Sequence, residues 1–409
     1  MQTHLSPEFK DTPEGREAEA ILRKCVHCGF CTATCPTYQL LGDELDGPRG
    51  RIYLIKQVLE GQQPTRKTQL HLDRCLTCRN CETTCPSGVE YGHLVDIGRK
   101  IVDEKVPRSK AANALRWSLK EGLGSSMFGP AMKLGQAVRG FLPQALKNKV
   151  PAAQNAGRWP THSHPRKVLM LAGCVQPAMS PNINSATARV LDAAGIQTLV
   201  AREAGCCGAV KFHLNDQEGG RAQMRANIDA WWPDVLAGRV EAIVMNASGC
   251  GVTVKEYGHF LQHDPLYADK ARHISELTRD LSEMLPDLVP ALRARVVPAP
   301  GLLAFHPPCS LQHGQKLRGG VEAHLAELGF NVQLAPSESN LCCGSAGTYS
   351  VLQPAIAYEL RDRKLGFLAQ LAPRTIISAN VGCIAHLQSG TATPVRHWVE
   401  VLDEALLPA

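Results

Sequence analysis

Eight of the sixteen cysteines form two short runs of identical spacing near the N-terminus. Each run reads C-x2-C-x2-C-x3-C-P, so a proline follows its fourth cysteine. Two-residue gaps let three thiols point from one tight loop at a single centre, whereas the longer gap carries the fourth thiol away from it. The first run contains Cys25, Cys28, Cys31 and Cys35, and the second contains Cys75, Cys78, Cys81 and Cys85. This pattern predicts a domain that folds around metal centres.

The spacing of the runs matches that of bacterial two-cluster ferredoxins, in which the fourth cysteine of each run ligates the other cluster. We therefore predict two neighbouring [4Fe–4S] clusters in an α+β or α-rich, ferredoxin-like domain. The predicted ligands are Cys25, Cys28, Cys31 and Cys85 for the first cluster, and Cys75, Cys78, Cys81 and Cys35 for the second. Zinc held by four thiolates is the alternative. Two complete runs that each end in Cys-Pro favour clusters.

Four segments differ in composition and pattern. An amphipathic stretch over 49–60, between the two cysteine runs, predicts a helix. Beyond about residue 165, strand-like and helix-like stretches alternate, which is typical of an α/β domain. The predicted domains are the ferredoxin-like domain at 1–105, a basic helical connector at 106–164, and two repeats of an α/β domain at 165–295 and 296–409.

The two α/β repeats each carry four further cysteines. Each copy reads β-α-β-α-β, with one cysteine at the end of its first strand, a Cys-Cys-Gly turn in the middle and one cysteine at the end of its last strand. Ligands of open α/β sheets bind at the carboxyl ends of the strands, and soft thiolates suit iron–sulfur clusters or zinc. Inert packing of the thiols is the alternative. The candidate sites for a third and fourth cluster, or for zinc, are Cys174, Cys206, Cys207 and Cys250, and Cys309, Cys342, Cys343 and Cys383.

The charge and hydropathy of the chain argue against nucleic-acid binding, a membrane-spanning segment and secretion. The net charge of +6 is mild for 409 residues, and aromatic residues make up only 5 %, which argues against nucleic-acid binding. No apolar run reaches the roughly 18 residues of a membrane span, and the polar N-terminus does not resemble a signal peptide. We expect a cytoplasmic protein whose cysteines bind metal rather than form disulfides.

The connector is basic. From Arg108 to Lys149 it has eight lysines or arginines and one acid. Apolar residues interleave with these charges, so the segment has the character of a helix that lies on an anionic membrane surface. It can equally hold a partner subunit or be a solvated connector. The basic residues proposed for lipid contact are Arg116, Lys120, Lys133 and Arg139.

The cysteine runs, the segment Asp46-Gly-Pro-Arg-Gly-Arg-Ile52 and the tandem Cys-Cys-Gly repeats together resemble the iron–sulfur subunits of bacterial glycolate oxidase. Relatives of that family include subunits of anaerobic glycerol-3-phosphate dehydrogenase and lactate-utilisation proteins. The resemblance implies a complex with FAD-containing subunits that oxidise glycolate to glyoxylate, and also D-lactate to pyruvate. Electrons would pass from the partner's flavin through [4Fe–4S] clusters toward a quinone or another acceptor, on the cytoplasmic face of the inner membrane.

The chain has no G-x-G-x-x-G fingerprint and no P-loop, so flavin chemistry is assigned to partner subunits and no catalytic residue is assigned here. The repeats also resemble the Cys-Cys-Gly domains of heterodisulfide reductase, which end in C-x-x-C. Here Thr253 and His386 replace that last cysteine. A four-ligand cluster, or His386 as a substitute ligand, remains open, and a heterodisulfide-reductase-like catalyst is the rival function. A redox sensor is a second rival, but the sequence shows no DNA-binding element.

Overall fold

The computed structural model describes residues 1–147 and 149–407. The chain forms two compact units: residues 1–116 with 340–361, and residues 117–339 with the chain from 362 onward. Each unit is described separately below. The boundaries between the four predicted domains stay predictions. No helix in the described ranges is long and apolar enough to cross a bilayer.

The main segment of the first unit is helical. Helix α5 begins with a proline and buries Ile52, Ile55 and Leu59 on one face, which confirms the predicted helix over 49–60. Gly98 lets α8 approach α5 closely, since a Cβ there would lie 2.6 Å from Ile55. The helices are α1 (Pro7–Lys10), α2 (Pro13–Lys24), α3 (Phe30–Ala33), α4 (Pro36–Leu41), α5 (Pro48–Leu59), α6 (Arg66–Asp73), α7 (Asn80–Thr84), α8 (Tyr91–Lys105) and α9 (Lys110–Gly122), with a 3₁₀ turn at Glu44–Asp46.

A distant part of the chain completes the first unit. The segment 340–361 packs with the cysteine-rich helices, where the Tyr349 hydroxyl donates to the Arg74 carbonyl at 2.9 Å. The Asn80 side-chain amide donates to the Asn340 carbonyl at 3.3 Å. Sequence analysis placed this segment wholly within the second α/β repeat.

The first α/β repeat forms a four-stranded parallel sheet in the order β2-β1-β3-β4. Its strands are short and apolar, with β3 buried along its whole length. The elements from the connector onward are α10 (Phe128–Ala137), α11 (Gln144–Lys147), β1 (Arg166–Met170), α12 (Gln176–Met179), α13 (Asn182–Ala193), β2 (Ile196–Leu199), α14 (Ala209–His213), α15 (Gln217–Leu236), β3 (Ala242–Met245), α16 (Ser248–Lys255), α17 (Tyr257–Phe260), α18 (Ala268–Leu277), β4 (Thr278–Asp280) and α19 (Leu281–Leu292), with a 3₁₀ turn at Arg139–Phe141.

The second repeat has the equivalent sheet, β6-β5-β7-β8, also parallel. Residues 340–361, which include α21, belong to the first unit. The elements are β5 (Leu303–Phe305), a π-helical turn at Ser310–Gly314, α20 (Gly320–Glu327), β6 (Val332–Leu334), α21 (Tyr349–Leu352), α22 (Pro354–Ala369), β7 (Thr375–Ser378), α23 (Val381–Gln388), β8 (Val395–His397) and α24 (Trp398–Glu404).

The tandem α/β architecture is confirmed, but each copy has one strand more than the sequence pattern predicted. Strands β4 (Thr-Arg-Asp) and β8 (Val-Arg-His) are short and mostly polar, so no apolar run marks them in the sequence. Each runs directly into a capped helix. Asp280 caps α19 and His397 caps α24, both through capping boxes.

The two repeats pack reciprocally within the second unit. The helix after the fourth strand of each copy contacts the helix after the first strand of the other, so α24 packs on α13 and α19 packs on α20. Arg189 on α13 pairs with Asp403 on α24 at 2.6 Å. This reciprocity shows that the two predicted repeats pack as equivalent partners.

Candidate iron–sulfur sites

The loop between α2 and α3 lines a cavity in the first unit. His27 and Gly29 have left-handed backbones (φ 57° and 87°), which curl the chain back on itself after α2. Apolar neighbours such as Ile52 and Val89 complete the wall and limit the access of water. The cysteines that line the cavity are Cys25, Cys28, Cys31, Cys81 and Cys85.

The loop between α6 and α7 lines a second cavity and has the same backbone pattern. Thr77 and Arg79 occupy the positions equivalent to His27 and Gly29, and both are left-handed (φ 50° and 58°). Left-handed backbones at residues other than glycine are strained and cluster at functional sites. The cysteines that line this cavity are Cys35, Cys75, Cys78 and Cys81.

The two cavities adjoin each other. Pro48, Cys81 and Tyr91 line both of them. Cys85 lines the first cavity but not the second, and Cys35 lines the second but not the first. The fourth cysteine of each run therefore lies with the first three cysteines of the other run.

Because these cysteines are buried, their thiols are hard to deprotonate when no metal is bound. It raises the pKa of Cys31 to about 11 and that of Cys81 well above its usual value. Several buried thiolates can share one cavity only if a cationic centre offsets their charge. Two cavities with a full set of thiol donors fit [4Fe–4S] clusters, which cysteine thiolates hold.

A buried polar network lies beside the second cavity. The Thr37 hydroxyl is 3.3 Å from the sulfur of Cys35 and donates to the Asp46 carbonyl at 2.7 Å. The Arg51 guanidinium lines the cavity and donates to Thr37 and to the His71 carbonyl. No role for Arg51 was predicted from the sequence, although an arginine on the apolar face of α5 was a readable signal.

Acidic groups around Arg51 keep its guanidinium positively charged. Burial alone would lower the pKa of its guanidinium, but Cys75 and other acidic groups, among them the Asp46 carboxylate, raise that pKa above its usual value. Asp46 is fully buried and also accepts from Arg74 at 2.7 Å. A fixed positive charge therefore lines the second cavity.

The four cysteines of the first α/β repeat come together. The side chains of Cys174, Cys206, Cys207 and Cys250 form a chain of hydrogen-bonded sulfurs. The hydrogen bond to Cys206 raises the pKa of Cys174, whereas the thiol of Cys174, helped by Cys207 and two backbone N–H groups, lowers that of Cys206. One thiolate among hydrogen-bonded thiols is a set of donors that a metal centre can use.

The glycine of each Cys-Cys-Gly turn is required by its backbone. Gly208 has φ 94°, and a Cβ there would lie 2.8 Å from the Gly220 carbonyl oxygen. Gly344 has φ 88°, and a Cβ there would lie 2.4 Å from the Ala357 carbonyl oxygen. The two turns therefore have the same left-handed geometry.

The last cysteine of each repeat lies in a helix. Cys250 and Cys383 occupy the first turns of α16 and α23, just after strands β3 and β7. In the second repeat, Cys309 and Cys383 belong to the second unit, whereas the Cys342-Cys343 pair lies in the segment counted with the first unit. The second set of four cysteines, and a ligand role for His386, stay predictions.

Comparison with known proteins places the chain. Residues 21–89 match a family model described as a 4Fe-4S dicluster domain. Residues 168–255 and 303–388 match a model described as a cysteine-rich domain. The glycolate oxidase iron-sulfur subunit of Escherichia coli (strain K12) is 56 % identical over 408 residues, which cover 99 % of each chain. The chain belongs to the family of glycolate oxidase iron–sulfur subunits.

More distant relatives agree with this placement. The probable glycolate oxidase iron-sulfur subunit of Bacillus subtilis (strain 168) is 29 % identical over 423 residues, covering 94 % of this chain and 92 % of that protein. Lactate utilization protein A of Bacillus cereus (strain B4264) is 26 % identical over 248 residues, covering 58 % of this chain and 98 % of that protein. The resemblance read from the sequence, the dicluster domain with tandem repeats, and an electron-transfer role in an oxidoreductase are confirmed.

Proposed function

We propose that this chain is the electron-transfer subunit of a glycolate oxidase complex. FAD-containing partner subunits oxidise glycolate to glyoxylate, and D-lactate to pyruvate as a second substrate. Electrons leave the complex to a quinone. The observation that carries the proposal is the pair of adjoining cavities, each lined by cysteines from both runs. Glycolate is proposed as the substrate because the chain is similar to the glycolate oxidase iron-sulfur subunit of E. coli.

The proposed ligand sets follow the cavity linings. Each cavity takes three cysteines from one run and the fourth from the other, with Cys81 assigned to the second cavity because it belongs to that run. Bound [4Fe–4S] clusters supply one-electron transfer at potentials that the protein tunes. The proposed ligands are Cys25, Cys28, Cys31 and Cys85 for the first site and Cys35, Cys75, Cys78 and Cys81 for the second.

The residues around the sites give each cavity a different character. The first cavity reaches the surface, since Cys28 is exposed beside the exposed side chains of Val26 and Phe30. The second cavity is lined by Arg51. Burial raises the pKa of Tyr349, and the nearby thiols of Cys75 and Cys342 raise it further, so Tyr349 lies close to Cys75, which lines this cavity. We assign the first cavity to the flavin-bearing partner and the second to the exit side.

The crossed ligand sets predict which cysteine substitutions behave alike. Cys85→Ser should remove the same cluster signal as Cys28→Ser, and Cys35→Ser the same signal as Cys78→Ser, because each pair shares one cavity. The anaerobically purified chain should hold about eight irons in these two sites. The measurement is iron content with EPR of the dithionite-reduced variants.

Two outcomes would contradict this assignment. If Cys85→Ser removed the signal lost in Cys78→Ser, each run would hold its own cluster and the crossing would be wrong. If the wild-type chain held zinc in place of iron in these sites, the electron-transfer role would fail with it.

We also propose peripheral contact with an anionic membrane through the connector. Trp117, Leu134 and Phe141 are exposed there by 64 %, 67 % and 93 %. Two of the basic residues proposed for lipid contact have protein partners, since Arg116 pairs with Asp73 and Lys120 with Asp216. The exposed apolar side chains therefore carry the proposal more than these two charges do.

Removing those side chains tests the membrane contact. We expect Leu134→Ser combined with Phe141→Ser to lower the fraction of the chain that floats with vesicles containing anionic phospholipid. The matched control is Leu236→Ser, on α15, since that leucine is also highly exposed. Equal flotation of the double variant and the wild type would remove the proposal.

A further inference from the structure

His306 is buried in the second repeat with both ring nitrogens unsatisfied. Its side chain follows β5, the residue is 1 % exposed, and neither nitrogen has a hydrogen-bond partner in the part of the chain that the structure describes. The backbone is held firmly, because its N–H donates to the Ile377 carbonyl at 2.8 Å and its carbonyl accepts from Ser378 Oγ at 2.9 Å. Leaving a buried polar group unpaired costs about 1–3 kcal/mol.

Three other buried histidines each have at least one polar partner for the imidazole. His71 lies 3.1 Å from the Asp46 carboxylate, His313 lies 3.0 Å from the Arg318 guanidinium, and His397 accepts from the Val399 N–H at 3.1 Å. Each of these has a role in packing or capping. No such role accounts for the imidazole of His306.

The imidazole of His306 lies close to a cysteine. A ring nitrogen of His306 and the sulfur of Cys383 are within 4.8 Å of each other. The two residues follow adjacent parallel strands, β5 and β7, at their carboxyl ends. Cys309 comes three residues after His306 in the chain, so the loop after β5 carries both an imidazole and a thiol. Imidazole and thiolate at this edge of a sheet are ligands for zinc or for iron.

We propose that His306 is a ligand of a metal centre in the second repeat, together with Cys383 and Cys309. The imidazole takes the place of the fifth cysteine that the Cys-Cys-Gly pattern has and this chain lacks. This inference goes beyond the proposed glycolate oxidase function and does not depend on the partner's substrate.

The proposal makes the two repeats chemically different. Leu171 occupies the position of His306 in the first repeat, so the site there has only sulfur donors. Imidazole binds metals in its neutral form. The second site gains a neutral ligand that the first does not have.

Replacing the imidazole tests the assignment directly. We expect His306→Leu, which copies the first repeat, to lose at least one metal ion per chain relative to the wild type, measured as iron and zinc content after anaerobic purification. His306→Cys should retain that metal because it supplies a thiolate. The matched control is His386→Leu, which removes the histidine whose ligand role the sequence pattern left open.

Spectroscopy of the unmutated chain provides a readout that does not depend on the variants folding. Histidine labelled with ¹⁵N in the ring should change the nitrogen coupling in pulsed EPR if the metal is iron. A nitrogen neighbour should appear in X-ray absorption at the zinc edge if it is zinc. Unchanged metal content in His306→Leu without any nitrogen signal would overturn the proposal, as would loss of the metal only in His386→Leu.

Discussion

Replacing Cys78 with serine is expected to reduce electron delivery to the quinone to the background rate, while partner flavin is still reduced by glycolate at its normal rate. Cys78 lines the second cavity, and a serine hydroxyl is a poor substitute for a thiolate on iron. The flavin chemistry is assigned to other subunits, so its rate does not depend on this site. The two half-reactions should therefore separate in this variant.

The measurement combines stopped-flow absorbance of the flavin with steady-state quinone reduction by the purified complex. Thr83→Ser serves as the control, because Thr83 is an exposed residue of α7, the short helix that follows the loop of Cys78. Full quinone-linked turnover in Cys78→Ser would show that electrons bypass the second cavity, and the relay would have to be abandoned. Loss of flavin reduction in the same variant would mean that the chain also shapes the partner's active site.

Replacing Arg51 with methionine is expected to lower the free energy of unfolding by about 3 kcal/mol or more, because it leaves the buried charge of Asp46 with one cation fewer. Arg51 is 1 % exposed and Asp46 is fully buried, so water cannot take over the lost contacts. The Thr37 hydroxyl and the His71 carbonyl lose their donor in the same substitution. The effect is measured by urea denaturation of the loaded subunit.

The same substitution should also make the cluster in the second cavity harder to reduce. The guanidinium lines that cavity, and a nearby positive charge stabilises the more negative, reduced state. Arg51→Lys keeps the positive charge, so the reduction potential of the cluster should lie close to that of the wild type. The free energy of unfolding should stay lower than that of the wild type, since lysine cannot reproduce the forked hydrogen bonds of arginine. Redox titration followed by EPR gives the potentials.

Arg49 provides the matched control for Arg51. It lies two residues earlier on the same helix, and its partner Glu44 is also partly exposed, with a nitrogen to oxygen distance of 2.6 Å. An exposed pair of this kind contributes no more than about 1 kcal/mol. Because Arg49 does not line the second cavity, Arg49→Met should leave both the stability and the potential of the cluster in that cavity nearly unchanged. Equal effects of the two substitutions would mean that burial of Arg51 does not decide its role.

Much of the architecture was predictable because it depends on local spacing. The C-x2-C-x2-C-x3-C-P runs, the helix at α5 and the repeated Cys-Cys-Gly turns are readable from a few neighbouring residues. The strands β4 and β8 were missed because their residues are mostly polar and their place in the sheet depends on pairing with β3 and β7. The last cysteine of each repeat was placed at a strand end, whereas it lies in the following helix.

Other features depend on contacts between distant residues and were not readable from the sequence. The segment 340–361 belongs to the first unit because its side chains pack there, as the bond from Tyr349 to Arg74 shows. The orphaned nitrogens of His306 appear only when the interior is assembled around them. The local sequence left a ligand role open for His386, because His386 stands where the family cysteine is missing.

The sequence by itself determined which residues can bind metal, because cysteine spacing sets which thiols one short loop can present to a single centre. It also determined the family, since the two motif types and their order extend over nearly the whole chain. The tertiary structure decided which cysteines of the two runs share a cavity and which buried charge lies beside them. Cavities and buried ion pairs form between residues far apart in the chain, so only packing brings their atoms together.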